Sequence, residues 1–332
     1  MGSKSRMQGK VPSQRSAAAP VYIGIDVCKA RLDVHIHPLG ESLVLPNDAG
    51  GLKRLKKILA RYDVVIVVME ATGKFHRPAH RSLHASGFKV AIVNPLRSRR
   101  FAEAIGTLAK TDRVDARVLA LMGESLKPGA LEPTPELMET LQELARGRES
   151  AVDSKTAIGN QIQTSNSKVL VRELKRQLTA VETAIENLEA ELERQIDADP
   201  VLARRFEILT SIPGIGLVAA VALIVELNEI GRLSSKQVAM IVGLAPIARD
   251  SGQKTGTREI RGGRKHLRTA LYMPANSAKQ HNPDLKIFHD RLIKAGKLAK
   301  VAITAVMRKL VVLANTLVRE DRLWQPRHVI AK

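Results

Sequence analysis

The stretch VYIGIDV at Val21–Val27 is followed by RLDVHIH at Arg31–His37 and SLVLPN at Ser42–Asn47. Three short β-branched runs separated by turn-length breaks predict an antiparallel meander. A helix over Leu52–Ala60 comes next, then the apolar run DVVIVVME at Asp63–Glu70, which reads as a buried strand. A helix near Pro78–Ser86, with proline in its first turn, and a strand over Phe88–Val93 complete the pattern. Three strands followed by helix and strand in alternation predict an α/β domain with a mixed sheet over residues 21–134.

Residues 135–200 are helical and polar. Their apolar positions Val171, Leu174, Leu178, Val181, Ile185, Leu188 and Leu192 are spaced alternately by three and four. Such an a/d seam with charged flanks predicts a coiled-coil arm that joins protomers, ahead of an amphipathic helix packed on its own domain. Residues 201–332 open with a helix, the turn SIPGIG at Ser211–Gly216 and a second apolar helix. This is helix-hairpin-helix-like, a module in which Gly214 and Gly216 would let backbone N–H groups meet a DNA phosphate. An ordinary helical hairpin has the same outline, and only the surrounding charge separates the two.

Charge narrows the partners. The 332 residues carry 53 basic and 33 acidic side chains, a net charge of +20, and from Ser251 to Lys332 there are 18 basic residues and 5 acidic ones. A cationic patch of this kind calls for a polyanion, nucleic acid first, with binding that weakens steeply as salt rises. At 44% apolar residues the chain can bury a core, which excludes a disordered tail protein. Its one cysteine, Cys28, excludes a disulfide scaffold and points to the cytosol. Apolar stretches such as Val218–Val225 are short of a membrane span. Met1–Pro20 has four positive charges, no acid and no apolar run of the signal-peptide kind, and is read as a disordered basic arm.

The acids give a candidate chemistry. Asp26 ends the first strand, Glu70 ends the fourth, and Asp112 and Asp115 are three apart at the start of a helix in KTDRVDARVLA. If the first and fourth strands are neighbours, the carboxylates gather at one sheet edge, where sites form in such folds. Their mutual repulsion would be relieved by a divalent metal, and oxygen donors without histidine or thiolate favour Mg2+ or Mn2+. Singly, each acid also fits a helix cap or a turn. A second group lies in APIARDSGQKTGTREIRGGRKHLR, where Ser251 is followed by Arg258, Arg261, Arg264, Lys265 and Arg268. A serine on a glycine-flanked loop can attack a phosphodiester whose charge arginines hold, although most loop serines are solvated turn residues. His76, His80 and His84, at helical spacing, read as a solvated or phosphate-facing stripe rather than a metal site. Arg308 and Lys309 read as an ordinary solvated helix edge.

Taken in order, IGID at Asp26, MEATG at Glu70, KTDRVDAR at Asp112 and Asp115, SIPGIG at Ser211, GLAPIARDSG at Ser251 and LRTALYMPA at Leu267 are specific. From about Val21 to Val318 the chain resembles the DEDD transposases of the insertion-sequence "one-ten" family. The resemblance implies a RuvC-like, RNase H-type domain, a coiled-coil insertion and a mainly helical C-terminal transposase domain with a catalytic serine. It further implies a metal-binding tetrad of Asp26, Glu70, Asp112 and Asp115 with Mg2+, and Ser251 as a nucleophile that forms a 5′-phosphoserine with DNA. A structured bridge RNA would choose donor and target, and the protein would assemble as a homo-oligomer up to a tetramer. Two other classes stand beside this expectation: a RuvC-type junction nuclease that uses water, and a non-catalytic nucleic-acid-binding protein whose acids are structural.

Overall fold

A computed structural model describes residues 19–71, 73–107, 112–248, 256 and 258–326; Ser251, the basic arm up to residue 18 and the side chains of Asp112 and Arg113 lie outside the described residues. The chain divides into two compact units, residues 1–134 and 135–332.

The first unit contains β1 (Pro20–Val27), β2 (Arg31–His37), β3 (Glu41–Pro46), α1 (Ala49–Leu59), β4 (Asp63–Glu70), α2 (Arg77–His84), β5 (Val90–Val93), α3 (Pro95–Ala104) and α4 (Asp112–Leu126). The sheet order is β3-β2-β1-β4-β5. The β1-β2 and β2-β3 pairs are antiparallel, whereas β4 runs parallel to both β1 and β5. The expected meander and mixed sheet are therefore present, and the first and fourth strands are neighbours.

Alternation along the strands sorts the side chains into two layers. Ile23, Ile25, Val67 and Met69 are buried with Leu52, Leu55 and Leu59 of α1 and Leu83 of α2. On the opposite face Tyr22, Ile66 and Val68 pack with Phe101 of α3 and with Leu119 and Met122 of α4. The helices begin where their caps place them: the Asp48 carboxylate accepts from the Gly51 N–H at 2.7 Å, and Asn94 caps α3 ahead of Pro95.

Helix α4 is seated on β1 without a side chain between them. A Cβ at Gly24 would overlap the Ala116 carbonyl and the Ala120 N–H, while Gly123 lies against Tyr22, Ile66 and Val68. Overpacking of this kind usually costs 1–3 kcal/mol, and here it falls on backbone that cannot rotate away. Gly24→Ala is expected to lower stability by about 3 kcal/mol, read by thermal unfolding. Gly129→Ala, where an added Cβ meets nothing within 4 Å, is the control and should leave the midpoint nearly unmoved.

The second unit contains α5 (Glu136–Thr164), α6 (Lys168–Asp197), α7 (Pro200–Thr210), α8 (Leu217–Glu226), α9 (Ser235–Ile241), the short strands β6 (Pro246–Ile247) and β7 (Glu259–Ile260), α10 (Lys265–Ala270), α11 (Tyr272–His281), α12 (Pro283–Lys294) and α13 (Ala299–Arg319). Helices α5 and α6 form an antiparallel hairpin, with Arg148 on Glu189 at 2.6 Å and Lys155 on Glu182 at 2.9 Å. The seam read from α6 thus meets a helix of its own chain. At its base Leu192 and Ile196 join Met138 and Leu141 in the core shared with α7 to α13. Farther out Leu178, Val181, Ile185 and Leu188 are half-buried, while Leu174, nearer the turn of the hairpin, is buried.

Helix α13 is long and apolar enough to cross a membrane by length and composition, a span the sequence reading overlooked. Val306, Leu310, Val311, Ala314 and Leu317 are buried in the unit's core, so α13 is packed as a core helix. His80 also departs from expectation: it is buried, and Nε2 lies 2.9 Å from the Leu131 carbonyl, which ties α2 to the chain beyond α4.

Candidate active site

The strand register decides where the first two acids point. Ile25 pairs with Met69 in the parallel β1-β4 ladder, and both side chains are buried on the α1-α2 side. Asp26 and Glu70, one position farther along, therefore share the opposite face, the one α4 crosses. Gly123 of α4 lies over Tyr22 and Ala116 over Gly24, so α4 runs antiparallel to β1. From Gly24 to Asp26 a strand advances about 6.6 Å, and a helix covers that in about four residues. The helical turn from Asp112 to Ala116, which contains Asp115, accordingly lies toward the strand ends that carry Asp26 and Glu70. Its N-terminal position favours negative charge.

Two residues that sequence reading missed belong to the same face. Asp33 pairs directly with Asp26 across the β1-β2 ladder and is buried, its Oδ2 accepting from Arg31 Nε at 2.8 Å. The meander itself carried that signal, since pairing IGID with RLDVHIH sets the two aspartates opposite one another. The Ser98 hydroxyl of α3 donates to Glu70 Oε2 at 2.5 Å and also approaches the Pro95 carbonyl at 2.9 Å. No sequence pattern announces this contact, which depends on how α3 leaves β5. Among the described residues no group of three acids, histidines or cysteines forms a ready metal cage, and the fourth acid, Asp112, has its side chain outside them.

The second candidate region is the β6-β7 hairpin. Pro246 pairs with Ile260 and Ile247 with Glu259, so Ser251 falls by sequence in the connection between them. The base of the hairpin is clasped by backbone. Gly243 and Gly263 have φ of 74° and 67°, and a Cβ on either would overlap the other's segment. Arg264 N–H donates to the Ile241 carbonyl at 2.7 Å, and Arg268 Nη1 donates to the Gly262 carbonyl at 2.7 Å.

Arg264 is engaged inside the unit. Its guanidinium donates to both Glu229 carboxylate oxygens, at 2.8 and 2.7 Å, and to the Glu226 carbonyl at 2.6 Å. Those bonds hold the Glu229 carboxyl below the usual carboxylate range, against the burial that pushes it up. A lowered folded-state pKa contributes stability above the unfolded value and loses it as pH falls through the folded one. The stability difference between wild type and Glu229→Gln should therefore be full at neutral pH and shrink below the carboxylate range, as urea unfolding from pH 7 to pH 3 would show. Arg258, Arg261 and Lys265 are exposed, and among the described residues none has a carboxylate partner. In the SIPGIG turn Gly214, at φ 104°, is pressed against Ala278 of α11, whereas Gly216 is exposed at the start of α8 with open space beside it.

Comparison with known proteins agrees with this architecture. Residues 23–170 match a family model for DEDD transposases of the IS110 type, and residues 206–290 match the transposase model of the IS116/IS110/IS902 family. The chain is similar to the pilin gene-inverting protein of Moraxella bovis, 28% identical over 318 residues, covering 92% of this chain and 98% of that one. It is also similar to the 43.6 kDa protein of insertion element IS110 from Streptomyces coelicolor, 22% identical, covering 92% and 96%. A putative transposase of Sinorhizobium fredii is 25% identical over 279 residues, 75% of this chain and 70% of its own length. The two family models lie in order and together take in most of the chain, which thus belongs to the IS110-type transposases, enzymes that recombine DNA.

Proposed function

We propose that this transposase cuts donor and target DNA and rejoins them through a covalent 5′-phosphoserine at Ser251, guided by a structured bridge RNA. In this reading Asp26, Glu70, Asp112 and Asp115 hold Mg2+ or Mn2+. The observation that carries it is the placement of Asp26 and Glu70 on adjacent strand ends, on the face crossed by the first turn of α4. The same placement supports a RuvC-like, RNase H-type reading of the first unit.

DEDD transposases depend on a divalent metal, and the donor set suits a hard cation, since it is carboxylate throughout. When bound, the ion supplies Lewis-acid polarisation of the scissile phosphate. The protein's own groups do the rest. Ser251 Oγ attacks phosphorus, the Oγ–P bond forms as the P–O3′ bond breaks, and the serine proton is accounted for on the departing 3′ oxygen. Attack by the 3′-hydroxyl of another strand reverses the step and returns the proton to serine. No phosphoryl bond energy is lost, which suits a relative named for gene inversion. Arg258, Arg261 and Lys265 hold phosphates, while Arg264 and Arg268 keep the hairpin in register. Gly216 serves a backbone phosphate contact of the helix-hairpin-helix kind, and Gly214 serves packing. The half-buried middle of the α6 seam, Leu178 to Leu188, is where a second copy would add to the α5-α6 hairpin, in keeping with a homo-oligomer.

Ser98 orients Glu70 in this scheme. Ser98→Ala should lower strand-transfer activity about tenfold, the usual size of a lost supporting hydrogen bond at a metal site, with folding retained. The reading as a whole is tested by incubating purified protein with the RNA transcribed from its flanking element, labelled donor DNA and Mg2+. An SDS-resistant protein–DNA adduct in wild type and none in Ser251→Ala is the expected result. Cleavage without an adduct, unaffected by that substitution, would identify a junction nuclease that uses water.

A further inference from the structure

A cavity of about 500 Å3 lies in the second unit between α9, α12, α13 and the chain that follows α13. Its floor is apolar and aromatic, with Leu285 and Phe288 of α12, Leu313 of α13 and Trp324. Its rim is cationic, with Lys236, Arg308, Lys309 and Arg322, and Asp284 is the one acid that lines it. Arg322 is paired with Glu320 at 2.7 Å, but among the described residues Lys236, Arg308 and Lys309 have no carboxylate partner. Lys309 instead rests its ammonium over the Phe288 ring, 4.5 Å from the centroid. Trp324 is anchored through its backbone, whose N–H donates to the Ser211 hydroxyl at 2.9 Å, so the indole is held at the wall. Only nine of the 332 residues are Phe, Tyr or Trp, and two of them meet here.

We infer that this cavity is a binding site for an unstacked nucleotide of a single-stranded nucleic-acid segment, its base on the aromatic floor and its phosphate on the rim. A flat π surface is offered to the cavity only by a base that has left its duplex, and a phosphate beside that base matches three unpaired cations. The phosphate also gives the Lys309 ammonium a stronger partner than the Phe288 face, which frees the ring to be stacked upon. Arg308 and Lys309 are therefore the working rim of a pocket rather than an idle helix edge. This rests on nucleic acid being the partner, as it is for a transposase, and does not depend on the chemistry proposed for Ser251.

Trp324 is the only tryptophan in the chain, so intrinsic emission reports on this wall alone. Full-length protein carrying Ser251→Ala is titrated with dT8, rU8 and a blunt 20-base-pair DNA duplex, following Trp324 emission together with anisotropy of labelled oligonucleotide. The expected result is a change of Trp324 emission with the single strands and none with the duplex. The relative strength of dT8 and rU8 tells whether the segment is DNA or RNA. Arg308→Glu with Lys309→Glu, both exposed and away from the core, should weaken the single-strand response about tenfold, and Phe288→Leu should weaken it without the charge change. Three outcomes overturn the inference: bound single strands that leave Trp324 emission unchanged, a duplex that changes it equally, or a response that survives both sets of substitutions. A failure here with an intact serine adduct in the wild type would remove the pocket and leave the recombinase reading standing.

Discussion

If Ser251 is the nucleophile proposed above, Ser251→Ala is expected to abolish the covalent protein–DNA adduct and to lower strand joining by on the order of 10^4-fold or more, with DNA binding kept. Removing a nucleophile takes away the bond that the remaining groups exist to promote, and losses of this size are usual where the catalytic residues act as a unit. Salt-dependent DNA affinity belongs to the exposed cations and not to the serine, so filter binding at two salt concentrations should not distinguish variant from wild type. Ser251→Cys is the informative partner. A thiol retains nucleophilicity but leaves a different bond to phosphorus, and an adduct at low level with no joining would place the defect after the first step. A Ser251→Ala protein that still joins strands would show that the attacking oxygen comes from elsewhere.

Asp26→Asn is expected to give the second large effect, a loss of about 10^3-fold in adduct formation. The substitution keeps size and hydrogen-bonding capacity but removes one negative charge from the face that Glu70 and the first turn of α4 share, and charge stabilisation at the reacting centre is commonly worth that much. Asp33 provides the comparison. It lies directly opposite Asp26 on the same face, is buried, and accepts from Arg31 Nε. Because the proposed metal-binding tetrad does not include it, Asp33→Asn should cost activity far less and show itself in stability instead. Combining Asp26→Asn with Glu70→Gln should add little to the single change, because groups holding one centre fail together. Equal losses for Asp26→Asn and Asp33→Asn, or an additive double variant, would argue against a centre built on Asp26.

What could be read from sequence and what could not divides by the range of the interaction. The β-branched runs with turn-length breaks specified the meander, and the apolar run DVVIVVM specified a buried strand, because alternation and burial are written residue by residue. The partnership of β1 with β4 then put Asp26 beside Glu70 by counting alone. The α6 seam was equally plain as a seam, but a heptad pattern states that a helix has a partner and is silent on which chain supplies it. Here α5 of the same chain does so, from Leu192 at the base of the hairpin to Leu174 near its turn. Arg264 and Arg268 resembled their exposed neighbours Arg258 and Arg261 in composition. Only the fold reveals that Glu229 and the Gly262 carbonyl claim them. His80 was misread for a related reason: helical spacing locates a face, and α2 turns that face inward to the Leu131 carbonyl.

The seat of α4 on Gly24 has a consequence for how this chain and its relatives differ in length. A helix resting on a strand through bare backbone is indexed to it. One residue inserted within α4 ahead of Ala116 would swing the preceding acids by about 100° around the helix axis, and one inserted in β1 after Gly24 would send Asp26 to the opposite face of the sheet. Insertions and deletions are tolerable only where no such indexing exists, in the connections between elements. The alignment with the 43.6 kDa insertion-element protein runs to 394 positions, whereas this whole chain has 332 residues. Within this chain, an inserted segment placed in a connection leaves Gly24, Asp26, Asp115 and Ala116 at a fixed count within their own elements, and so leaves the seat of α4 undisturbed.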